Sequence, residues 1–330
     1  MPRLFQLASP LTMLLCGAGA IAALSGSAAH PLDMRAAEGS SLRPDDYRIA
    51  AIGYRLATAR PDLCPKTAPV SGLLLHHLGD YAPEDRPAMV RDGLDRGPGI
   101  LSVVSDSPAA RAGLKAGDIV LAVDGEPLES PETIAAIGDA KARRSAIEAS
   151  EEKLLKLMAR GTVRLTLLRG PATIERTLST IPGCLLRIRL AVSKQRQAVA
   201  NGPYVIVATG LLGLARNDDE LAFVIGHEMG HVQLGHREVL QTARVPRKGA
   251  LRGFGKNGDI VQRTEAEADA FGGRLVIAAG YDLDRGAVIL ARLDPAITLF
   301  GMFRTHADPQ ARIRALRALA ASETGPAVTK

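Results

Sequence analysis

The residues most able to do chemistry are His227-Glu228-Met229-Gly230-His231, inside the stretch from Asn217 to His236. Two histidines at i and i+4 stand about 40° apart on one helix face, so both imidazoles can converge on one cation. Glu228 is turned about 100° from His227, too far to share that ion easily. It is placed to take a proton from a water on the ion. Gly230 carries no side chain and leaves room for a neighbouring element. Leu221, Val224, Ile225 and Val232 mark the helix as buried, where polar side chains need partners.

A catalytic zinc takes three protein ligands and keeps one position open. The candidates for the third ligand lie in Thr264-Glu265-Ala266-Glu267-Ala268-Asp269-Ala270. Glu265 and Asp269 share a helix face, while Glu267 lies about 200° round and reads as solvated. One acid of the pair ligates and the other receives an imidazole N–H. Spacing leaves open which does which. His236 points off the metal face and reads as a cap or surface group. His306 precedes Asp308-Pro309, a helix start with an N-cap Asp and Pro at its first position. Three roles stand for it: reaching the cation's open position in a latent state, contacting substrate, or a structural one. His76 and His77 are adjacent, point to different sides and make a poor ligand pair.

These groups need elements to hold them. Asn217 and Glu220 form a capping-box-like helix start. Tyr204, Val205, Ile206 and Val207 read as a strand, expected to pair as an edge with extended substrate. Arg244, Arg247, Lys248, Arg252, Lys256 and Arg263, interleaved with four glycines, read as a mobile basic loop. Such a loop is either an ordinary solvated one, or it gates the cleft or favours acidic peptides or peripheral contact with an anionic membrane.

Upstream, residues 97–180 form a unit. Gly97 to Val104 reads as loop then strand. Ser107 caps a short helix that has Pro108 at its first position and Gly113 just past its end. Asp124-Gly125 is a hairpin turn. Pro131 starts a helical stretch that continues towards Arg160. Thr162 to Leu168 and Thr173 to Leu178 alternate as strands around Gly170-Pro171. Before this unit, Asp45 to Ala59 reads helical, with Ile49, Ile52 and Leu56 near one face.

Two resemblances follow. Ser107-Pro108-Ala109-Ala110-Arg111-Ala112-Gly113-Leu114-Lys115-Ala116-Gly117-Asp118, with Val123-Asp124-Gly125, resembles a bacterial PDZ domain of secreted proteases. That resemblance implies peptide binding by strand addition. Gly99 and Ile100 would offer backbone N–H groups to a chain-terminal carboxylate. A groove filled by the protein's own chain is the structural alternative. The His-Glu-x-x-His motif, followed by Glu265-x-x-Ala268-Asp269, resembles the gluzincin metallopeptidase family 48, which includes the HtpX-like and CAAX prenyl protease-like enzymes. Tyr204 to Leu212, Asp218 to Ala222, Thr305-His306 and Arg312 add to the likeness. It implies one zinc on His227, His231 and Glu265, with Glu228 as base and Asp269 orienting a ligand. His306 or Arg312 would stabilise the oxyanion. Gln197-Ala198-Val199-Ala200 and Ala307 depart from the family pattern. The membrane helices of its integral members are absent, which argues against prenylated substrates.

The chain has 330 residues, 46% hydrophobic and 23% charged, with a net charge of +6. That suits about two globular domains and excludes long disorder and a polytopic membrane protein. With 5 Tyr, 6 Phe and no Trp, there is no stacking platform for single-stranded nucleic acid, and none is expected as a partner. Arg3, the apolar run Leu11 to Leu24 and Ser27-Ala28-Ala29 read as a signal peptide over residues 1–29. The alternative is an uncleaved anchor. Leu15 before Cys16 is too large for a lipobox. Periplasmic or secreted location follows, and an oxidising compartment favours a Cys64–Cys184 bridge over two free thiols.

The expected fold is α+β: an α-rich zincin metallopeptidase domain over residues 182–330, preceded by a small PDZ-like β domain over 97–181. Residues 30–96 form an N-terminal helical segment. The expected function is an exported zinc endopeptidase acting on unfolded or envelope proteins. The alternative is a chaperone-like peptide binder whose metal site is usually closed.

Overall fold

The computed structural model describes residues 40–247, 250–293 and 308–324. Residues 1–29, Cys16, Thr305 and His306 lie outside these ranges. Strand Ser40–Ser41 (β1) and helix Pro44–Ala59 (α1) precede strands Thr67–Val70 (β2) and Leu73–His76 (β3) and helix Arg86–Arg91 (α2). Next come Gly99–Val103 (β4), Pro108–Arg111 (α3), Ile119–Val123 (β5), Glu126–Pro127 (β6), Pro131–Ala135 (α4), Ala140–Met158 (α5), Thr162–Arg169 (β7) and Ala172–Ser179 (β8). Ile181–Cys184 (β9) leads to Arg187–Ala191 (β10), Ala198–Asn201 (β11) and Tyr204–Ala208 (β12). Helices Thr209–Leu214 (α6), Asp218–Gln233 (α7), His236–Thr242 (α8), Gly255–Ala278 (α9), Leu283–Ala287 (α10) and Pro309–Thr324 (α11) follow.

The fold is α+β. Among the described residues the larger sheet runs β1-β4-β5-β7-β8, with β3 also on β4 and β6 on β5. Turn chemistry sets its hairpins. Asp124 and Gly125 both take positive φ, at 50° and 78°, as a tight two-residue turn between β5 and β6 requires. Ser107 caps α3 by accepting from Ala110 N–H. The alternating residues Val163, Leu165 and Leu167 of β7 turn inward onto Leu154, Leu157 and Met158 of α5. The helical stretch expected from Pro131 to Arg160 is broken. Gly138 interrupts it, and Asp139 caps a new helix by accepting from Ala142 N–H at 2.7 Å.

Helix α1 packs with the second half of the chain. Its buried face of Ile49, Ile52 and Leu56 shares one core with Val205, Phe223, Leu275 and Leu283. Strand β3 belongs to the PDZ-side sheet. Residues 40–96 are therefore divided between the two halves by packing. The Cys64–Cys184 disulfide, with Cα atoms 5.4 Å apart, ties the end of the α1 segment to β9.

The expected basic loop is largely ordered. Helix α8 takes 236–242, a short 3-10 turn takes 250–253, and α9 begins at Gly255. Lys256 and Arg263 thus stand on the long helix that carries the acidic motif. Among the described residues no helix is long and apolar enough to cross a membrane.

Two expected peptide-pairing elements are interior strands. Tyr204 to Val207 lies in β12, the middle of a three-stranded sheet ordered β10-β12-β11. Arg187 pairs beside Tyr204 on one side, and Asn201 on the other. Both edges of β12 are used, so it cannot accept a substrate strand. The edge on the catalytic side is β11. Gly99 and Ile100 lie on β4, where His76 and Leu75 of β3 pair opposite them. Ile100 N–H donates to Asp118 O at 2.8 Å. A Cβ on Gly99 would sit 2.4 Å from His76 Nε2. These two residues are therefore not the open edge of the PDZ-side sheet.

Candidate metal centre

Helix α7 is fixed at its start by Asn217, whose side chain accepts from Glu220 N–H at 3.0 Å. Glu220 reaches back to Arg216 N–H at 2.7 Å. Three acids in the first turn complement the positive end of the helix. Helix α9 crosses α7 at very close range, and glycine is the reason. A Cβ on Gly230 would lie 2.8 Å from the backbone of Ala268, and one on Gly272 would lie 2.4 Å from the backbone of Gly226. This contact brings Glu265 and Asp269 of α9 against His227 and His231 of α7.

His227, His231 and Glu265 present ligand atoms all within 4.8 Å of one another. His227 Nε2 is 3.1 Å from His231 Nε2 and 3.4 Å from Glu265 Oε2. His231 Nε2 is 3.6 Å from Glu265 Oε1. Tetrahedral zinc with N and O ligands at ~2.0–2.1 Å sets its ligands about 3.3 Å apart. The Glu265 carboxylate faces His227 with Oε2 and His231 with Oε1, and all three separations lie near that edge, so the donor set suits zinc. Two imidazoles and a carboxylate are also the donor chemistry of an open catalytic zinc site.

Electrostatics give the same fit. Burial alone would lower the pKa of His227, but its bonds to Asp269 and Glu265 override this and raise it to about 10. Burial and the neighbouring His227 push His231 down to about 3. The carboxylates thus draw positive charge to His227, and a divalent cation would compete there with its proton.

Asp269 accepts from His227 Nδ1 at 2.8 Å, on the ring edge opposite the ligand atom. Burial alone would raise its pKa, but Arg312 and His227 hold it below the usual carboxylate range. Arg312 donates to Asp269 from Nε and a terminal nitrogen, both at 2.7 Å. The guanidinium expected at the oxyanion is thus committed to the carboxylate behind His227, because bidentate pairing satisfies its fork.

Glu228 is half-buried and its Oε2 accepts from Ala200 N–H of β11 at 2.7 Å. The backbone of the edge strand therefore steers this carboxylate, a contact the spacing of the motif does not reveal. His236 is another residue that sequence reasoning misplaced. It is 2% exposed, and its Nδ1 lies 2.8 Å from His231 Nδ1. Its Nε2 lies 3.1 Å from Glu267 Oε2, so Glu267 is also more than a solvated acid. The signal was Gly235, which takes a left-handed φ of 65° and folds the chain back. Counting a straight helix through it sent His236 the wrong way.

Away from this centre, β3, α5, α1 and β10 line a cavity of about 150 Å³. Its walls include Leu73, Leu154, Met158, Tyr54, Leu186 and Arg187. Among the described residues β3 pairs with β4 alone, so its other edge is open. His76 and His77 are buried beside it. His76 Nδ1 lies 2.7 Å from Tyr81 Oη, and His77 Nε2 lies 3.6 Å from Glu151 Oε1.

Comparison with known proteins matches two family models. The PDZ domain model matches residues 99–148, and the Peptidase family M48 model matches residues 189–248. The first match starts at β4 and leaves out β3. The second contains His227, Glu228 and His231 and ends before Glu265. The chain is also 40% identical over 78 residues to the magnetosome formation protease MamE of Paramagnetospirillum magneticum, covering 23% of this chain. It spans only 10% of the length of that relative. The chain is thus similar, in two separate stretches, to PDZ domains and to Peptidase family M48.

Proposed function

We propose that the protein is a zinc-dependent endopeptidase that cleaves protein substrates. The observation that carries this reading is the convergence of His227, His231 and Glu265, with Glu228 on the helix of the two histidines. Zinc, when bound by those three residues, would polarise the scissile carbonyl and acidify water. Asp269, braced by Arg312, keeps the proton of His227 on Nδ1 and its Nε2 free to ligate. Glu228 takes the proton of the attacking water and returns it to the leaving amine. Its bond from Ala200 N–H holds the carboxylate still between these two transfers. The outer edge of β11, which carries that N–H, is the edge available to an extended substrate. His306, outside the described residues, stays a candidate for the oxyanion.

Substrate selection belongs in this reading to the open edge of β3 and the cavity it shares with α5. The edge supplies backbone groups for strand addition, and Leu73, Leu154 and Met158 supply an apolar wall. Export to the periplasm and a role in envelope protein quality control complete the proposal. The segment 1–29 and the Cys64–Cys184 disulfide support an oxidising compartment. Digestion of unfolded casein tests the activity. The wild type is expected to cleave it, and Glu228→Gln is expected to lose cleavage. Equal cleavage by both would overturn the assignment.

A further inference from the structure

We propose that His236 and Glu267 are positioning residues that fix the proton of His231 and thereby present its Nε2 to the metal. The inference rests on the zinc reading of the site and adds residues to it. His227 and His231 are served differently. His227 gives its Nδ1 edge to a carboxylate, Asp269, at 2.8 Å. His231 has another imidazole at that edge, also at 2.8 Å, and the carboxylate stands one residue further out.

Hydrogen-bond polarity then determines every proton in the row. An imidazole that ligates through Nε2 carries its proton on Nδ1. His231 Nδ1–H must therefore donate, and His236 Nδ1 must accept. His236 then carries its own proton on Nε2, where Glu267 Oε2 accepts it at 3.1 Å. The opposite assignment fails. A proton on His236 Nδ1 would either face the N–H of His231 or drive that proton to Nε2, the atom the metal needs. It would also leave His236 Nε2 as an acceptor facing a carboxylate. With His231 ligating and both rings neutral, the row has one self-consistent arrangement of protons.

The fold holds the row in place. Gly235 in the left-handed region ends α7 and returns His236 over the last turn. The two rings pack edge to face, with centroids 4.9 Å apart at 76°. His236 is 2% exposed, so water does not compete for its bonds. Glu267 is half-exposed and anchors the outer end.

The test is zinc affinity, read by competition with a chelating dye on the full-length protein, together with ¹⁵N spectra of the imidazoles. His236→Ala is expected to bind zinc about 10–100-fold more weakly. His236→Asn is expected to stay within about threefold of wild type, because its Oδ1 takes the place of Nδ1 as acceptor. Glu267→Gln, which still offers an oxygen, is expected to bind as wild type, and Glu267→Ala more weakly. In the zinc-loaded wild type, His231 is expected to carry its proton on Nδ1. Wild-type affinity in His236→Ala would overturn the proposal. So would equal weakness of the Asn and Ala variants, which means the ring only fills space. A wild type that binds no zinc would instead remove the endopeptidase reading, and this one with it.

Discussion

At the scale of single residues the centre is a set of hydrogen-bond directions. Each of the two imidazoles has its far edge occupied: His227 by Asp269, His231 by His236. Arg312 stands behind Asp269 with two bonds of 2.7 Å. Removing it leaves a buried carboxylate without its charge partner and His227 without a rigid brace. Arg312→Ala is expected to weaken zinc binding about tenfold or more and to lower cleavage with it. Arg312→Lys is expected to recover little, because an ammonium cannot make the bidentate fork. Isothermal titration with zinc measures both. Unchanged affinity in Arg312→Ala would return the residue to the reacting bond. The motif His227-Glu228-x-x-His231 was legible in the sequence because one helix turn fixes its geometry. Glu265 and Asp269 were legible as a pair for the same reason. The roles of His236, Glu267 and Arg312 were not. They depend on a left-handed glycine and on contacts between residues more than 30 positions apart in sequence.

At the scale of elements the crossing of α7 and α9 sets the ligand distances. Gly230→Ala places a Cβ 2.8 Å from the Ala268 backbone, which must yield. Forcing the helices apart is expected to cost about 1–3 kcal/mol and to weaken zinc binding. Gly213→Ala on α6, with nothing within 4 Å, is the control and is expected to leave both unchanged. Thermal melting with and without zinc reads the difference. Strand pairing was the least legible level. Tyr204–Val207 and Gly99–Ile100 look like open strands, because local sequence does not show the partners that cover them. Those partners, β10 with β11 for the first and β3 for the second, are fixed by the tertiary fold. The break at Gly138-Asp139 was written in the sequence, since a glycine followed by an N-capping Asp restarts a helix. The pairing of β3 also has a pH signature. Burial, followed by the charge of Arg43, pushes His76 down to about 4. The unfolded chain binds that proton near 6.5 and the folded one only near 4, so acid favours unfolding. Stability is expected to fall between those values, by roughly 3 kcal/mol at most from this group. His76→Asn is expected to flatten that part of the profile in urea titrations. An unchanged slope would mean that His76 is not buried in its neutral form.

At the scale of the whole molecule the PDZ side and the metal side are joined through α5 and the small sheet. Tyr204 of β12 donates its hydroxyl to Glu151 of α5, and Arg189 of β10 reaches Asp80 at 2.8 Å. The strand expected to meet substrate thus anchors the PDZ-side helix, and its neighbour β11 meets the base. All of this serves a reaction only if the centre holds metal and the metal carries the turnover. The most direct measurement is zinc content and casein cleavage on the same samples of wild type, Glu228→Gln and Glu265→Ala. The account predicts about one zinc per chain with cleavage in the wild type, full zinc without cleavage in Glu228→Gln, and loss of both in Glu265→Ala. Full cleavage by Glu265→Ala after its zinc is gone would contradict it.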